Sequence, residues 1–132
     1  MKKILVLEDD LNIYGIYAEA LEAQGYQVSN VNNGAQAMNA IRDQMPDLVI
    51  LDLVMPGRNG LDILKEIRDD SSLEKIKVVV TTNFGNENNV STALDLGAND
   101  YIMKYNVGAE ELSKKIATLL GDIQGAGISM VG

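Results

Sequence analysis

Six acidic or hydroxyl side chains and one amine follow directly on four short apolar runs of this chain. Glu8-Asp9-Asp10 follow ILVL, Asp52 follows VIL, Thr81-Thr82 follow VVV, and Lys104 follows YIM. A carboxylate at the end of a run as apolar as that in VILDLVMPG is costly to bury without a partner, so Asp52 demands a reason. Taken singly, the others have ordinary explanations. Asp9 or Asp10 suits a helix N-cap, Thr82 a strand, and Lys104 the surface. Four such coincidences at four run ends are improbable together. Carboxylates crowded at one site repel, and one of them would stay protonated. A divalent cation removes that conflict, and Mg²⁺ is commonly held by one or two carboxylates together with waters and phosphate oxygens. In such a site Asp52 acts as a nucleophile and takes up a phosphoryl group as an aspartyl phosphate. The Lys104 ammonium then offsets charge on the transferred group, and the Thr82 hydroxyl hydrogen-bonds one of its oxygens.

Such convergence needs elements that bring the four run ends to one edge. The apolar runs cover residues 4–7, 26–31, 48–51, 76–80 and 101–103, and several are β-branched. Near-continuous hydrophobicity over so few residues fits strands buried on both faces of a parallel sheet. Between them, apolar residues recur at helical spacing. Ile13, Ile16, Tyr17, Ala20 and Leu21 form the first such face, ended by Gly25, and Ala37, Met38, Ile41 and Met45 the second, ended by Pro46. Leu61, Leu64 and Ile67 form the third; Val90, Ala93 and Leu94 the fourth, closed by Gly97; Leu112, Ile116, Leu119, Leu120 and Ile123 the fifth. Five strands alternating with five helices specify an α/β fold with right-handed crossovers and an open, doubly wound sheet. In such sheets ligands bind beyond the carboxyl ends of the strands, where the strand order reverses. The second run ends in Asn32-Asn33-Gly34, a turn without evident chemistry.

Composition narrows the function. A length of 132 residues suits one domain, 1–121, followed by a Gly-rich, non-periodic tail, 122–132, expected to be flexible. The net charge of -8 argues against direct binding of nucleic acid or of an anionic membrane. There is no Cys, which removes thiol chemistry and Cys-based metal sites, and no His, which removes the commonest general base and a phosphohistidine carrier role. MKKILVLEDD is too short in its apolar part for a secretory signal, and no later run could span a bilayer, so a cytoplasmic location is expected.

With these residues in place, the sequence resembles a receiver domain of the two-component response regulators, of the chemotaxis-regulator type. KKILVLEDD resembles the family's first strand with its acidic pair, and VILDLVMPGRNGLDIL the phosphoacceptor strand and its loop. VVVTTNF resembles the strand bearing the hydroxyl residue, and LDLGANDYIMK the segment that ends in the family's lysine. The resemblance spans residues 2–120 and rests on several motifs in order. It implies a flavodoxin-like sheet of order 2-1-3-4-5 with five helices. It further implies Asp52 as phosphoacceptor, with Mg²⁺ held by Asp9, Asp52 and the Val54 backbone carbonyl and by Glu8 through water. Asp10 falls one place beyond the acidic pair, near the helix start. Thr82 precedes Lys104 by 22 residues, the family's typical interval, which favours it over Thr81 as the hydroxyl residue, with Thr81 on the other face of the strand. Tyr101 matches the aromatic switch residue. The implied partners are a sensor histidine kinase or histidine phosphotransfer protein upstream and an effector protein or domain downstream. The resemblance also implies that the chain catalyses only its own phosphorylation and dephosphorylation, as a monomer or weak dimer.

The sequence also departs from the family. Tyr105 follows Lys104 where the family commonly has Pro with a cis bond; before a non-proline the cis form costs about 3–4 kcal/mol, so a trans bond is expected. Asn83 replaces the usual Ala or Gly after the hydroxyl residue. Val54 and Phe84 are apolar where some members carry polar groups, which points to slow self-dephosphorylation. NENNVSTALDLG has no Lys or Arg, which disfavours the charge-paired dimer of receivers joined to winged-helix domains. Two other readings compete. A haloacid dehalogenase-like phosphohydrolase needs a second acid two residues after its nucleophile, where this chain has Val54. A phosphorylation-independent binding module of the same fold would be expected to have lost the acceptor or the acids. No GxxxxGK[ST] or GxGxxG supports a nucleotide site.

Overall fold

The computed structural model describes residues 1–83, 87–105 and 107–122. Five parallel strands, β1 (Lys3–Leu7), β2 (Gln27–Val31), β3 (Leu48–Asp52), β4 (Lys77–Thr82) and β5 (Asp100–Met103), form one sheet in the order β2-β1-β3-β4-β5. The helices α1 (Leu11–Glu22), α2 (Ala37–Gln44), α3 (Gly60–Asp69), α4 (Glu87–Asp95) and α5 (Ala109–Leu119) connect and flank them. This is the doubly wound α/β architecture expected from the sequence. Among the described residues no helix is long and apolar enough to cross a membrane.

Strand residues point alternately to the two faces, and each face has its own core. Leu5, Leu7, Val49, Leu51, Val78 and Val80 pack with Ile41, Ile63, Leu64 and Ala93 on one side. Ile4, Val6, Ile50, Val79 and Ile102 pack with Ile13, Tyr17, Leu112 and Ile116 on the other. Helices on both faces explain why the runs are apolar without alternation.

Register places the site. Leu7 pairs with Leu51, Asp52 with Thr81, and Thr82 with Met103, so Glu8, Asp52, Thr82 and Lys104 lie along one edge of the sheet. The switch in strand order falls between β1 and β3, which carry the acids.

Three positions differ from the sequence expectation. Ile16 is 59% exposed and Ala18 is buried instead, because the buried stripe of α1 centres between Tyr17 and Leu21, more than a quarter turn from Ile16. Met45 leaves the helix face: it caps α2 in the left-handed region with φ 46 ahead of Pro46, and its side chain is 48% exposed. Leu94 is 41% exposed, and only Ala93 of the fourth face is fully buried. Ile123, assigned to the last helix, and the tail residues 123–132 lie outside the described residues. Strands β3 and β4 reach Asp52 and Thr82 rather than stopping at the last apolar residue, since ladder hydrogen bonds need no apolar side chain.

Gly60 sets the exit from the acidic strand. A Cβ there would stand 2.6 Å from the Leu53 Cα and 2.8 Å from the Asp52 carbonyl oxygen, so α3 starts directly against the end of β3. Gly57, with φ 95, makes the turn after Pro56 that allows this return. Gly15, by contrast, is mid-helix in α1 with nothing within 4 Å of its would-be Cβ. Urea unfolding is therefore expected to show Gly60→Ala destabilised by about 1–3 kcal/mol through overpacking. In the same assay Gly15→Ala is expected to gain about 0.5–1 kcal/mol from helix propensity.

Candidate functional site

At the carboxyl edge of the sheet the chain leaves β1 through Glu8, Asp9 and Asp10. The side-chain amide of Asn30 donates to the Val6 carbonyl at 2.9 Å and the Glu8 carbonyl at 3.0 Å, fixing this exit against β2. Asp10 is the N-cap of α1, its Oδ1 accepting from the Asn12 and Ile13 amides at 2.9 and 3.3 Å. That leaves Glu8 and Asp9 for the site. Glu8 is 1% exposed and Asp52 3% exposed, while Asp9 faces solvent.

Glu8, Asp9 and Asp52 each offer a carboxylate oxygen within 4.8 Å of the others. One cation stands among them. The Lys104 ammonium meets Asp52 Oδ2 at 2.7 Å and Glu8 Oε2 at 3.2 Å, and its side chain is only 9% exposed. Asp52 Oδ1 accepts from the Val54 amide at 3.0 Å, and Glu8 Oε2 also accepts from the Asp10 amide at 3.0 Å. Glu8 Oε1 is buried with no hydrogen-bond partner among the described residues. Three clustered carboxylates, two of them on one ammonium, with one buried oxygen unsatisfied among the described residues, are a donor set that fits a hard divalent cation.

The titration behaviour follows from the burial. Loss of hydration raises the Glu8 carboxyl to about 7; the Asp10 amide opposes this, the Asp52 charge adds to it, and Lys104 counters it. Burial alone would lower Lys104, but the hydrogen bond and charge of Asp52, together with Glu8, outweigh it and hold the ammonium protonated above its ordinary value.

Thr82 lies at the end of β4, 5% exposed, its hydroxyl donating to the Asn83 carbonyl at 3.3 Å. Thr81 is buried, and its hydroxyl has no partner among the described residues. The Lys104 amide donates to the Thr82 carbonyl at 2.7 Å, linking the lysine to β4. Val54 is 66% exposed at the mouth of the site. Tyr101 is not in the cluster: it sits on the edge strand β5, 38% exposed, with the Lys115 ammonium 5.1 Å from its ring centroid. The Lys104–Tyr105 bond is trans, as expected without proline. Phe84, the second apolar flank named from the sequence, lies outside the described residues. One contact had no sequence signal. Tyr17, legible only as a core position of α1, donates its hydroxyl to the Lys104 carbonyl at 3.3 Å.

The response regulator receiver domain profile matches residues 4–117. The DNA-binding response regulator MtrA of Mycobacterium tuberculosis is 37% identical over 103 residues, 78% of this chain and 44% of MtrA. The phosphate regulon transcriptional regulatory protein PhoB of Pseudomonas aeruginosa is 36% identical over 103 residues, again 78% of this chain and 45% of PhoB. The chain thus spans less than half the length of these curated relatives. Among solved structures, the BeF3-activated N-terminal receiver domain of Klebsiella pneumoniae RstA is 29% identical with a TM-score of 0.79, covering 89% of this chain and 98% of that one. NtrX from Brucella abortus is 28% identical with a TM-score of 0.82, covering 100% of this chain and 30% of NtrX.

The raised Glu8 carboxyl makes a signed prediction for the metal-free protein. The folded state binds this proton more tightly than the unfolded chain, so the contribution is fully present below pH 4.5 and is lost as pH rises through about 7. The Lys104 shift lies above 10.5 and is constant across that window. Unfolding free energies from urea titrations between pH 4.5 and 7 should therefore favour Glu8→Gln over wild type increasingly with pH, by on the order of 1–3 kcal/mol at the upper end.

Proposed function

Because the chain belongs to the response regulator receiver domain family, we propose that it accepts a phosphoryl group on Asp52 and changes its protein partners in response. The observation that carries this reading is the buried Lys104 ammonium 2.7 Å from Asp52, within a cluster of three carboxylates. The donor is a sensor histidine kinase or a histidine phosphotransfer protein. The partner supplies the histidine, since this chain has none.

In the transfer, an Asp52 carboxylate oxygen forms the new bond to phosphorus while the phosphorus–nitrogen bond to the donor imidazole breaks and its electron pair returns to nitrogen. Asp52 needs no general base, because the carboxylate is already the nucleophile. Mg²⁺, when bound, supplies charge neutralisation of the phosphoryl oxygens. Asp9, Asp52 and the Val54 carbonyl would hold it directly and Glu8 through water, which gives the orphaned Glu8 oxygen a partner. Lys104 remains a fixed cation beside the acceptor. The Thr82 hydroxyl gives up its contact with the Asn83 carbonyl and turns to a phosphoryl oxygen. That movement frees space into which Tyr101 turns, altering the surface of α4, β5 and α5.

On this reading residues 1–121 form the receiver unit, which works in the cytoplasm as a monomer or weak dimer. It catalyses only the gain and loss of its own phosphoryl group. MtrA and PhoB are named as a DNA-binding and a transcriptional regulator, so the partner downstream is an effector protein or domain. The chain's net charge of -8 argues against its binding nucleic acid itself.

Incubation with acetyl phosphate and Mg²⁺ is expected to add one phosphoryl mass to the wild type and none to Asp52→Asn, as read by intact-mass spectrometry. No gain in wild type, or an equal gain in the variant, refutes the assignment. The exposed apolar Val54 cannot orient an attacking water. The phosphorylated protein should therefore decay slowly in Mg²⁺, and Val54→Asn should shorten its half-life several-fold; equal decay rates would refute that role.

A further inference from the structure

Lys104 is held from several sides, and one of the holds does not come from the sheet. Its ammonium meets Asp52 and Glu8 at 2.7 and 3.2 Å, and its amide reaches the Thr82 carbonyl at 2.7 Å. Strand β5 ends at Met103, among the described residues no ladder amide reaches the Lys104 carbonyl, and Tyr105 next to it is 69% exposed. That carbonyl is taken instead by the hydroxyl of Tyr17, which comes from α1, 87 residues away in the chain.

Packing alone does not call for this hydroxyl. Tyr17 is 2% exposed in the core between the sheet and helices α1 and α5, among Ile13, Leu21, Ile102, Leu112 and Ile116. A phenylalanine or leucine would fill such a place without burying a polar group that needs a partner. Burial, reinforced by the Glu8 charge, pushes the Tyr17 hydroxyl well above its ordinary pKa, so it remains a donor throughout the working pH range. A lysine side chain is long and flexible, and its ammonium is placed only as accurately as the main chain from which it hangs.

We infer that Tyr17 is a positioning residue for phosphoryl transfer: it ties the Lys104 main chain to α1 and so fixes the reach of the ammonium to Asp52. The inference rests on the reading of Asp52 as phosphoacceptor. Tyr17 acts through the Lys104 carbonyl, whereas the cation site is built from Glu8, Asp9 and Asp52. Because Lys104 also touches Asp52 and Glu8, loss of the Tyr17 hydroxyl should slow the chemical step by more than it changes Mg²⁺ affinity. The 3.3 Å separation is longer than the roughly 2.7–2.8 Å of a relaxed O–H···O bond, so the hydroxyl tethers the loop rather than clamping it.

The test is Tyr17→Phe in the full chain, which keeps the ring and removes only the donor. With acetyl phosphate at saturating Mg²⁺, the limiting rate of Asp52 phosphorylation is expected to fall by about three- to ten-fold, the size set by one lost neutral hydrogen bond. The half-saturating acetyl phosphate concentration should stay as in wild type, and the Mg²⁺ affinity measured calorimetrically should change by less than the rate. In NMR spectra the Lys104 carbonyl carbon and the Tyr105 amide should shift. Tyr17→Met, which fills the core without a donor, should show the same loss. A wild-type rate in Tyr17→Phe, or a Mg²⁺ affinity that falls in parallel with the rate, overturns the inference. A wild type that is phosphorylated while the Lys104 carbonyl signal is unmoved by Tyr17→Phe overturns it alone. A wild type that gains no phosphoryl mass overturns the reading of the site as well.

Discussion

The ammonium of Lys104, caught between the carboxylates of Asp52 and Glu8, is the interaction around which this edge of the sheet is organised. Two acids at 1% and 3% exposure would each lose much of their hydration in a site without a cation. One lysine cannot neutralise them together with Asp9; burial, with the Asp52 charge adding to it, raises the Glu8 carboxyl to about 7, and one Glu8 oxygen has no partner among the described residues. The ground state is thus short of positive charge. Receipt of a phosphoryl group would deepen that shortage, and this is the physical reason a divalent cation belongs in the proposed reaction.

The arrangement holds because the fold leaves little freedom in where the charges lie. Parallel pairing brings Asp52 opposite Thr81 and Thr82 opposite Met103, so a slip of one residue would turn each of these side chains to the opposite face. Both faces of the sheet carry a packed core, which makes such a slip costly everywhere at once. The loops are fixed as firmly. Asp10 caps α1, Asn30 anchors the exit of β1, and Gly60 lets α3 begin in contact with the end of β3.

Most of this was legible in the sequence, for a physical reason. Short β-branched runs alternating with helical periodicity admit few topologies, and an acid at the end of an apolar run is costly enough to mark itself. Asp52 and Lys104 came forward on those grounds and Glu8 through the family resemblance, and the structure brings their side chains together. What stayed hidden depends on angles rather than on residue types. Ile16 and Ala18 compete for the same stripe, and only the packing of α1 against α5 decides between them. Met45 fits a helical spacing until the chain turns left-handed ahead of Pro46. Tyr17 is apolar in pattern and polar in use, since the partner of its hydroxyl lies 87 residues away.

The energetics of Tyr101 bear on how a charge placed on Asp52 could be felt at the far side of β5. The tyrosine ring lies beneath the Lys115 ammonium at 5.1 Å, while the same ammonium meets the Asp100 carboxylate at 3.5 Å and the Tyr101 carbonyl at 3.0 Å. These contacts are partly exposed, Lys115 and Asp100 at 30% and 33%, and such pairs contribute only about 0–1 kcal/mol each. The outward ring is therefore held weakly. Reversing a two-state preference from 1:99 to 99:1 takes about 5.5 kcal/mol, but a ring held by one or two weak contacts needs far less. In the proposed reaction, charge-assisted hydrogen bonds to a phosphoryl group, at roughly 1.5–3 kcal/mol each, would supply enough to move Thr82 and reset such a balance. On the proposed reading, the site is rigid where it holds charge and loosely latched at the edge strand, where the signal would leave it.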